Sequence, residues 1–436
     1  MLLRSLRRVN LRVPVPTRMK SSLNLGADVV VPRTMATSKA QSQAVPKSVG
    51  YWLLGMCGLV GGMVTIGGIT RLTKSGLSMT DWKLTGSMPP MNYEEWMIEF
   101  DKYKQFPEYK QRPNMTLDEF KYIYFWEWGH RMFGRGLGVA FAIPFTYFWS
   151  RGMIPRSLYP RMGALFSLGG LQGLIGWWMV KSGLSKKDGL LDENNREIRV
   201  SPYRLATHLS MAFLTYTTLL WTALEIIKPT SVTLQSVMDS VGVKGFDQTM
   251  ISKLKKIRVG ATVNTALVAI TVLSGAYVAG NDAGNAYNTF PKMGDDWIPE
   301  GMWTLEPKWR NLIENTATVQ FDHRYLALST ATTITALFAY TKQISNGSIW
   351  KRVLPRYAHK ALHAMTGMVF IQVGLGISTL LLYVPLHLAA THQLGSLVLL
   401  TFSTATLHSL RFVKLLKAGP VQQAMKTVAT SVSKVK

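Results

Sequence analysis

Cysteine is almost missing from this chain: Cys57 is the only one in 436 residues. A single thiol excludes an internal disulfide, a cysteine-ligated zinc site and a cysteine-held iron–sulfur cluster. Metal chemistry, if there is any, rests on histidine and carboxylate or on a bound cofactor. Acidic residues are also scarce, 24 against 49 Lys and Arg, and charged residues make up only 17% of the chain. So little charge is unusual for a soluble enzyme and suits a protein dissolved in lipid. The formal net charge of +25 raises the question of nucleic acid. However, the excess lies in the two tails and a few loops, with no separate basic domain carrying a recognition motif, so no nucleic-acid partner is expected.

Acid is absent altogether from Met1 to Ala27, where Arg4, Arg7, Arg8, Arg12, Arg18 and Lys20 stand among serines and apolar residues. The composition over residues 1–47 is that of a mitochondrial transit peptide, with a disordered basic N-terminus as the plain alternative. Beyond it, 47% of the chain is hydrophobic, and apolar stretches of about 20 residues, each enough to cross a bilayer as a helix, recur to the end. They are read at 49–70, 124–149, 162–180, 205–227, 259–280, 316–340, 361–383 and 386–413. Gly61-Gly62, Gly67-Gly68, Gly169-Gly170 and Pro144 fall inside them, as membrane helices tolerate. The segments 150–161 and 341–360 and the tail are basic and acid-free, whereas 71–122 is mixed and 281–315 acidic. By the positive-inside rule the basic loops face the matrix, with both termini. The expected fold is an all-α integral membrane protein with eight transmembrane helices and membrane lipid as its solvent.

The chain also repeats. Placing His130 over His323 and His208 over His392 superposes Glu127 on Gln320 and Arg131 on Arg324, and Gln172-Gly173-Leu174-Ile175-Gly176 echoes Gln372-Val373-Gly374-Leu375-Gly376. This predicts two pseudo-symmetric four-helix bundles, at 48–228 and 258–413, joined by a matrix linker, 229–257, and followed by a basic matrix tail, 414–436. In that topology all four histidines fall in the first turns of helices running the same way, and so at one depth. A hydrogen-bonded core residue is the plain reading of any one of them. A matched set of four in lipid points instead to two axial pairs, each holding one haem iron between facing helices. Arg131 and Arg324 follow their histidines and, with Arg71 and Arg204 at helix ends on the same face, are candidate contacts to haem propionates. Glu127 lies on nearly the same helix face as His130 and is a candidate proton donor or acceptor. A hydrogen-bonded glutamate at the membrane interface is the structural alternative. Because Gln320 cannot ionise, the first half reads as the reacting site and the second as a housed cofactor. His359, His363, His387 and His408 are assigned no role, His408 being read as interfacial.

The residues resemble the haem A synthase family, in its mitochondrial form. The resemblance is carried by Gly67 to Ser78, Ile123 to Arg131, Gln172 to Val180, Tyr203 to Leu209, and Asn281 to Gly284 with Asn288 to Pro291, and it spans about 48–413. It implies an oxidoreductase that converts the C8 methyl of haem O, through a hydroxymethyl stage, to the formyl of haem A for cytochrome c oxidase. It further implies haem b on His323 and His392, substrate haem on His130 and His208, and Glu127 as the catalytic carboxylate. The partners it implies are mitochondrial ferredoxin and ferredoxin reductase for electrons, haem O synthase for substrate, and cytochrome c oxidase assembly factors; a homo-oligomer is left open. The competing reading is a di-haem b electron-transfer cytochrome, which is better served by haems at different depths. A non-catalytic haem carrier has no need of the Glu127/Gln320 asymmetry.

Overall fold

Proline opens several of the long helices. It has no N–H to leave unsatisfied in a first turn, and its φ is already set for a helix. In the computed structural model, which describes residues 45–184, 199–241, 248–344 and 353–417, Pro46, Pro355 and Pro385 precede helices and Pro202 begins one. The expected transit peptide, up to residue 44, and the basic tail from 418 lie outside the described residues, as does 242–247 of the expected linker. In chain order the helices are α1 (Lys47–Leu72), α2 (Tyr93–Lys104), α3 (Pro107–Lys110), α4 (Leu117–Ser150), α5 (Tyr159–Leu184) and α6 (Pro202–Ile227). They continue with α7 (Thr230–Val241), α8 (Gln248–Gly280), α9 (Asn311–Glu314), α10 (Thr316–Ile344), α11 (Arg356–Leu381) and α12 (Leu386–Ser409).

Six helical stretches, built on α1, α5, α6, α8, α11 and α12, are long and apolar enough to cross a membrane. The two remaining long helices, α4 and α10, are less apolar and carry the ionisable motifs Glu127-Arg131-Arg135 and Asp322-Arg324. Polar groups inside these helices find partners locally. The hydroxyls of Thr65, Thr215, Thr217, Thr265 and Thr335 each donate to the carbonyl four residues back, which keeps threonine affordable in hydrocarbon. Pro144 cannot donate to Ala140 O, and the freed carbonyl accepts instead from Trp52 Nε1 at 3.4 Å.

α1 packs on α4 and α6, and α5 on α6; in the second half α8 packs on α10 and α12, and α11 on α10 and α12. The halves meet through α6 against α8 and α12, and through α1 against α12. Residues of both halves, among them Leu53, Leu219, Leu254, Ile334 and Met365, share one buried core. Hydrogen bonds across the junction include Tyr216 OH with Thr401 Oγ1 at 2.7 Å and Gln393 Nε2 to Val64 O at 3.0 Å.

Two stretches expected as connections are structured. Part of the linker is helical: α7, and the first turns of α8, where Met250, Ile251, Leu254 and Ile257 recur at helical spacing and are buried. The loop after α1 folds into a cap over the start of α4. There Phe100, Tyr103, Phe120, Ile123 and Tyr124 form a small aromatic core, and Thr116 and Glu119 make a capping box that starts α4 outside the apolar run.

Candidate haem-binding and reaction sites

Each of the four histidine rings lies against a glycine of the neighbouring helix. A Cβ at Gly67 of α1 would stand 3.1 Å from His130 Nε2, and one at Gly176 of α5 would stand 3.1 Å from His208 Cε1. In the second half the same contacts are Gly275 of α8 with His323 Cε1 at 3.0 Å and Gly376 of α11 with His392 Cε1 at 2.9 Å. Absence of a side chain at these points makes room for an imidazole between two helices. A second repeated device fixes the helix that carries the ring. Gln172 Nε2 donates to His208 O at 3.0 Å, and Gln372 Nε2 donates to His392 O at 2.9 Å. The echo of these glutamines and glycines is visible in the sequence, but their task of seating the histidines is not.

In the second half, His323 and His392 face each other with ring centres 6.4 Å apart and planes at 89°. Two imidazoles that hold one metal ion from opposite sides at about 2 Å per nitrogen have ring centres roughly 6 Å apart. Ser274 Oγ lies 2.8 Å from His323 Nδ1 and donates its own proton to Thr271 O at 2.8 Å. The ring must therefore be the donor at Nδ1, which leaves the Nε2 lone pair for a metal. Both rings line a mainly apolar cavity of ≈ 310 Å³, together with Arg71, Gln320 and Arg324. In the first half, His208 is within electrostatic range of His130. Among the described residues no cluster of three His, Cys, Asp or Glu is arranged to hold a bare metal ion.

The arginines divide. Arg71 donates to Ala279 O at 2.8 Å and pairs with Asp282 at 2.9 Å, so a first-half residue reaches the cavity of the second. Arg324 lines the same cavity while donating to Gln320 Oε1 at 2.9 Å and to the carbonyls of Tyr287, Thr289 and Lys292. Arg131 binds Glu127 Oε1 at 2.6 Å and the carbonyls of Met79 and Asp81. Arg204 donates to Trp178 O at 2.7 Å and lies over the Trp178 ring.

Glu127 is 2% exposed. Besides Arg131 it accepts from Ser78 Oγ and from Met79 N, each at 2.7 Å. Gln320 occupies the matching place and faces a loop of opposite polarity: its Nε2 donates to Ala283 O at 2.6 Å and to Ala286 O. Each residue thus ties an arginine one turn on to the loop beyond its helix. The acid stands where the loop offers donors and the amide where it offers acceptors.

His408, near the end of α12, is enclosed by other segments. It is 1% exposed, with Nδ1 2.8 Å from Tyr357 OH and 2.7 Å from Arg411 Nη1, and its ring lies edge-on to Trp221. The segment Arg411–Lys417 supplies Arg411, which closes over the ring.

Gly376→Ala is expected to displace the His392 ring, because the new methyl meets a ring atom at 2.9 Å whose helix Gln372 holds in place. The expected result is a roughly tenfold or greater loss of retained haem, in line with disturbing a ligand's supporting groups. It is read from haem content and the low-spin absorption spectrum of the purified protein. An unaltered spectrum overturns the seating role of Gly376.

The fold and the paired histidines define a helical protein with at least six membrane-competent helices and sites suited to metal-bearing macrocycles. Comparison with known proteins narrows that class. The model of the COX15-CtaA family, described as cytochrome oxidase assembly protein, matches residues 50–404. The chain is 47% identical over 382 residues to haem A synthase COX15 of Arabidopsis thaliana, covering 87% of this chain and 77% of the relative. It is 44% identical over 389 residues to haem A synthase COX15 of Homo sapiens, covering 89% and 88%. It is 42% identical over 376 residues to a haem A synthase–mitochondrial ferredoxin fusion protein of Schizosaccharomyces pombe, covering 83% and 60%. The chain belongs to the COX15-CtaA family of cytochrome oxidase assembly proteins.

Proposed function

We propose that this protein is a haem A synthase of the mitochondrial inner membrane, an oxidoreductase that converts the C8 methyl of haem O to the formyl of haem A for cytochrome c oxidase. The observation that carries this is identity of 44–47% to haem A synthases of plants and animals over nearly the whole chain. The paired histidines are the chemistry such an enzyme needs. In this reading all eight long helices span the membrane as two related bundles, α4 and α10 included, with both termini in the matrix. The charges of α4 and α10 then lie at the aqueous end, tied to the extramembrane loops.

His323 and His392 hold a resident haem b, with Arg71 and Arg324 at its propionate side. Three features support this assignment: the ring spacing, the tautomer set by Ser274 and the apolar cavity. When bound, that haem supplies one-electron transfer. His130 and His208 orient the substrate haem O, and Glu127 takes up a proton from its reacting edge, held in place by Arg131, Ser78 and Met79. Ferredoxin is the electron partner, a reading supported by its fusion to the relative in S. pombe. Ferredoxin reductase, haem O synthase and oxidase assembly factors complete the expected set.

The test is conversion. The full-length protein in lipid nanodiscs, given haem O, ferredoxin, its reductase and NADPH, is expected to form haem A, resolved by chromatography from haem O and the hydroxymethyl intermediate. Retained haem b with no conversion transfers the protein to the electron-transfer cytochromes.

A further inference from the structure

The last turn of α1 belongs to the first half but lines the cavity of the second, where Gly68, Arg71 and Leu72 stand with His323 and His392. Arg71 is held there by the end of α8. Its guanidinium donates to Ala279 O at 2.8 Å and to Asp282 Oδ1 at 2.9 Å. The first bond serves a last-turn carbonyl, where a helix end has acceptors to spare. The second meets a residue that runs against local preference. A carboxylate just past a helix C-terminus faces the negative end of the helix dipole, and Asp282 also takes a left-handed backbone, φ 48°. Arg199, in the segment before α6, is a second guanidinium on the same carboxylate. Asp282 lines the cavity too, and the pair is largely sheltered, with side chains 19% (Arg71) and 28% (Asp282) exposed. At the same cavity the Nε of Arg324 is buried without a hydrogen-bond partner.

The internal echo shows that this acid is particular to the second half. Setting Gly67 over Gly275, the glycines under His130 and His323, places Met79 over Tyr287. The contacts agree with that register, since Arg131 donates to Met79 O and Arg324 to Tyr287 O. It puts Lys74, at φ 53°, over Asp282: the same backbone with the opposite charge.

We propose that Asp282 is a positioning residue that fixes Arg71 at the second cavity, and that this ion pair sets the reduction potential of the haem held there. The inference rests on the proposed seating of haem b by His323 and His392. Ferrous haem carries one positive charge fewer than ferric haem, so a nearby cation favours the reduced form and a nearby anion the oxidised one. Sheltered charges act with less screening than surface ones. Arg71 and Asp282 therefore pull the potential in opposite directions, and their pairing holds it between the two extremes.

The test is potentiometric titration of haem b in the full-length protein in nanodiscs, followed by its low-spin absorption and needing no turnover. Asp282→Asn is expected to keep haem b and to raise its midpoint potential. The expected size is about tenfold in the ferric–ferrous equilibrium, which is about 59 mV for one electron. Arg71→Gln is expected to lower the potential by a similar amount, and Arg71→Lys, which keeps the charge, to stay close to wild type. The double variant Asp282→Asn/Arg71→Gln is expected to return toward wild type. A merely structural pair predicts the same damage from either partner. Shifts of one sign in both single variants, or no shift in either, overturn the proposal. If Arg71→Gln fails to hold haem, Asp282→Asn decides alone: an unmoved or lowered potential overturns it. Loss of haem b from Asp282→Asn overturns it as well, the pair then serving retention. Wild type without haem b on His323 and His392 defeats the cofactor assignment and this inference with it. Wild type that holds haem b but leaves haem O unconverted defeats only the haem A synthase reading, and the potentials remain measurable.

Discussion

Glu127→Gln is expected to stop haem A formation, by about a hundredfold or more, while the haem b proposed for the second half is retained. The substitution copies the residue that the second half carries at the same place, so volume alone predicts an easy replacement. The hydrogen bonds predict otherwise. Glu127 accepts from Arg131 on one oxygen and from Ser78 Oγ and Met79 N on the other. A glutamine there, in either orientation, sets its NH2 against a donor: the Arg131 guanidinium in one case, the Met79 amide in the other. An unsatisfied buried donor costs about 1–3 kcal/mol, so the cap also loosens, seen as faster proteolysis between 73 and 116. The catalytic loss is separable from the loosening with Ser78→Ala. That change removes one bond to the carboxylate and leaves the acid, and it is expected to retain most turnover. Haems extracted from membranes and resolved by chromatography decide the matter. A normal haem A level in Glu127→Gln overturns the assignment of this carboxylate.

His323→Ala is expected to remove the haem b proposed for the second half, with loss of the low-spin spectrum; His392→Ala is expected to do the same. Ser274→Ala leaves both imidazoles but removes the acceptor that holds the proton on His323 Nδ1. Its expected effect is intermediate, about 10–100-fold in haem affinity, as for other groups that orient a metal-bound histidine. His130→Ala, in the other half, is expected to keep the haem b spectrum while losing conversion of haem O. The reduced-minus-oxidised spectrum of the purified variants distinguishes the cases. An unchanged spectrum in His323→Ala transfers the resident haem to another pair.

Much of the fold is legible in the chain, because lipid reduces the problem to length and hydropathy. The expected run 316–340 is the start of α10, and 386–413 that of α12 continuing into its terminal turn. Helix starts are longer than read wherever they leave the apolar zone: α4 begins at Leu117, not 124, and α8 at Gln248, not 259. Hydropathy falls there while helical periodicity and capping persist. The cap was unreadable as a unit because its core is built from aromatic residues spread over some fifty positions of mixed charge. The enclosure of His408 was unreadable for a related reason. Its neighbours Tyr357, Trp221 and Arg411 lie on three other segments, and only their assembly covers it.

The sequence by itself determined the class of protein, the long helices, the internal echo of motifs and the four histidines, since each of these is written in local composition or in self-similarity. Tertiary structure alone decided what those residues touch. It set glycines under the rings and carried Arg71 across to the second cavity. It also matched Glu127 and Gln320 to loops of opposite hydrogen-bonding polarity. The physical reason is range: hydropathy and helical period act over a few turns, whereas a ligand seat or an ion pair joins side chains from helices far apart in the chain. Such contacts leave no mark on the spacing of any single one.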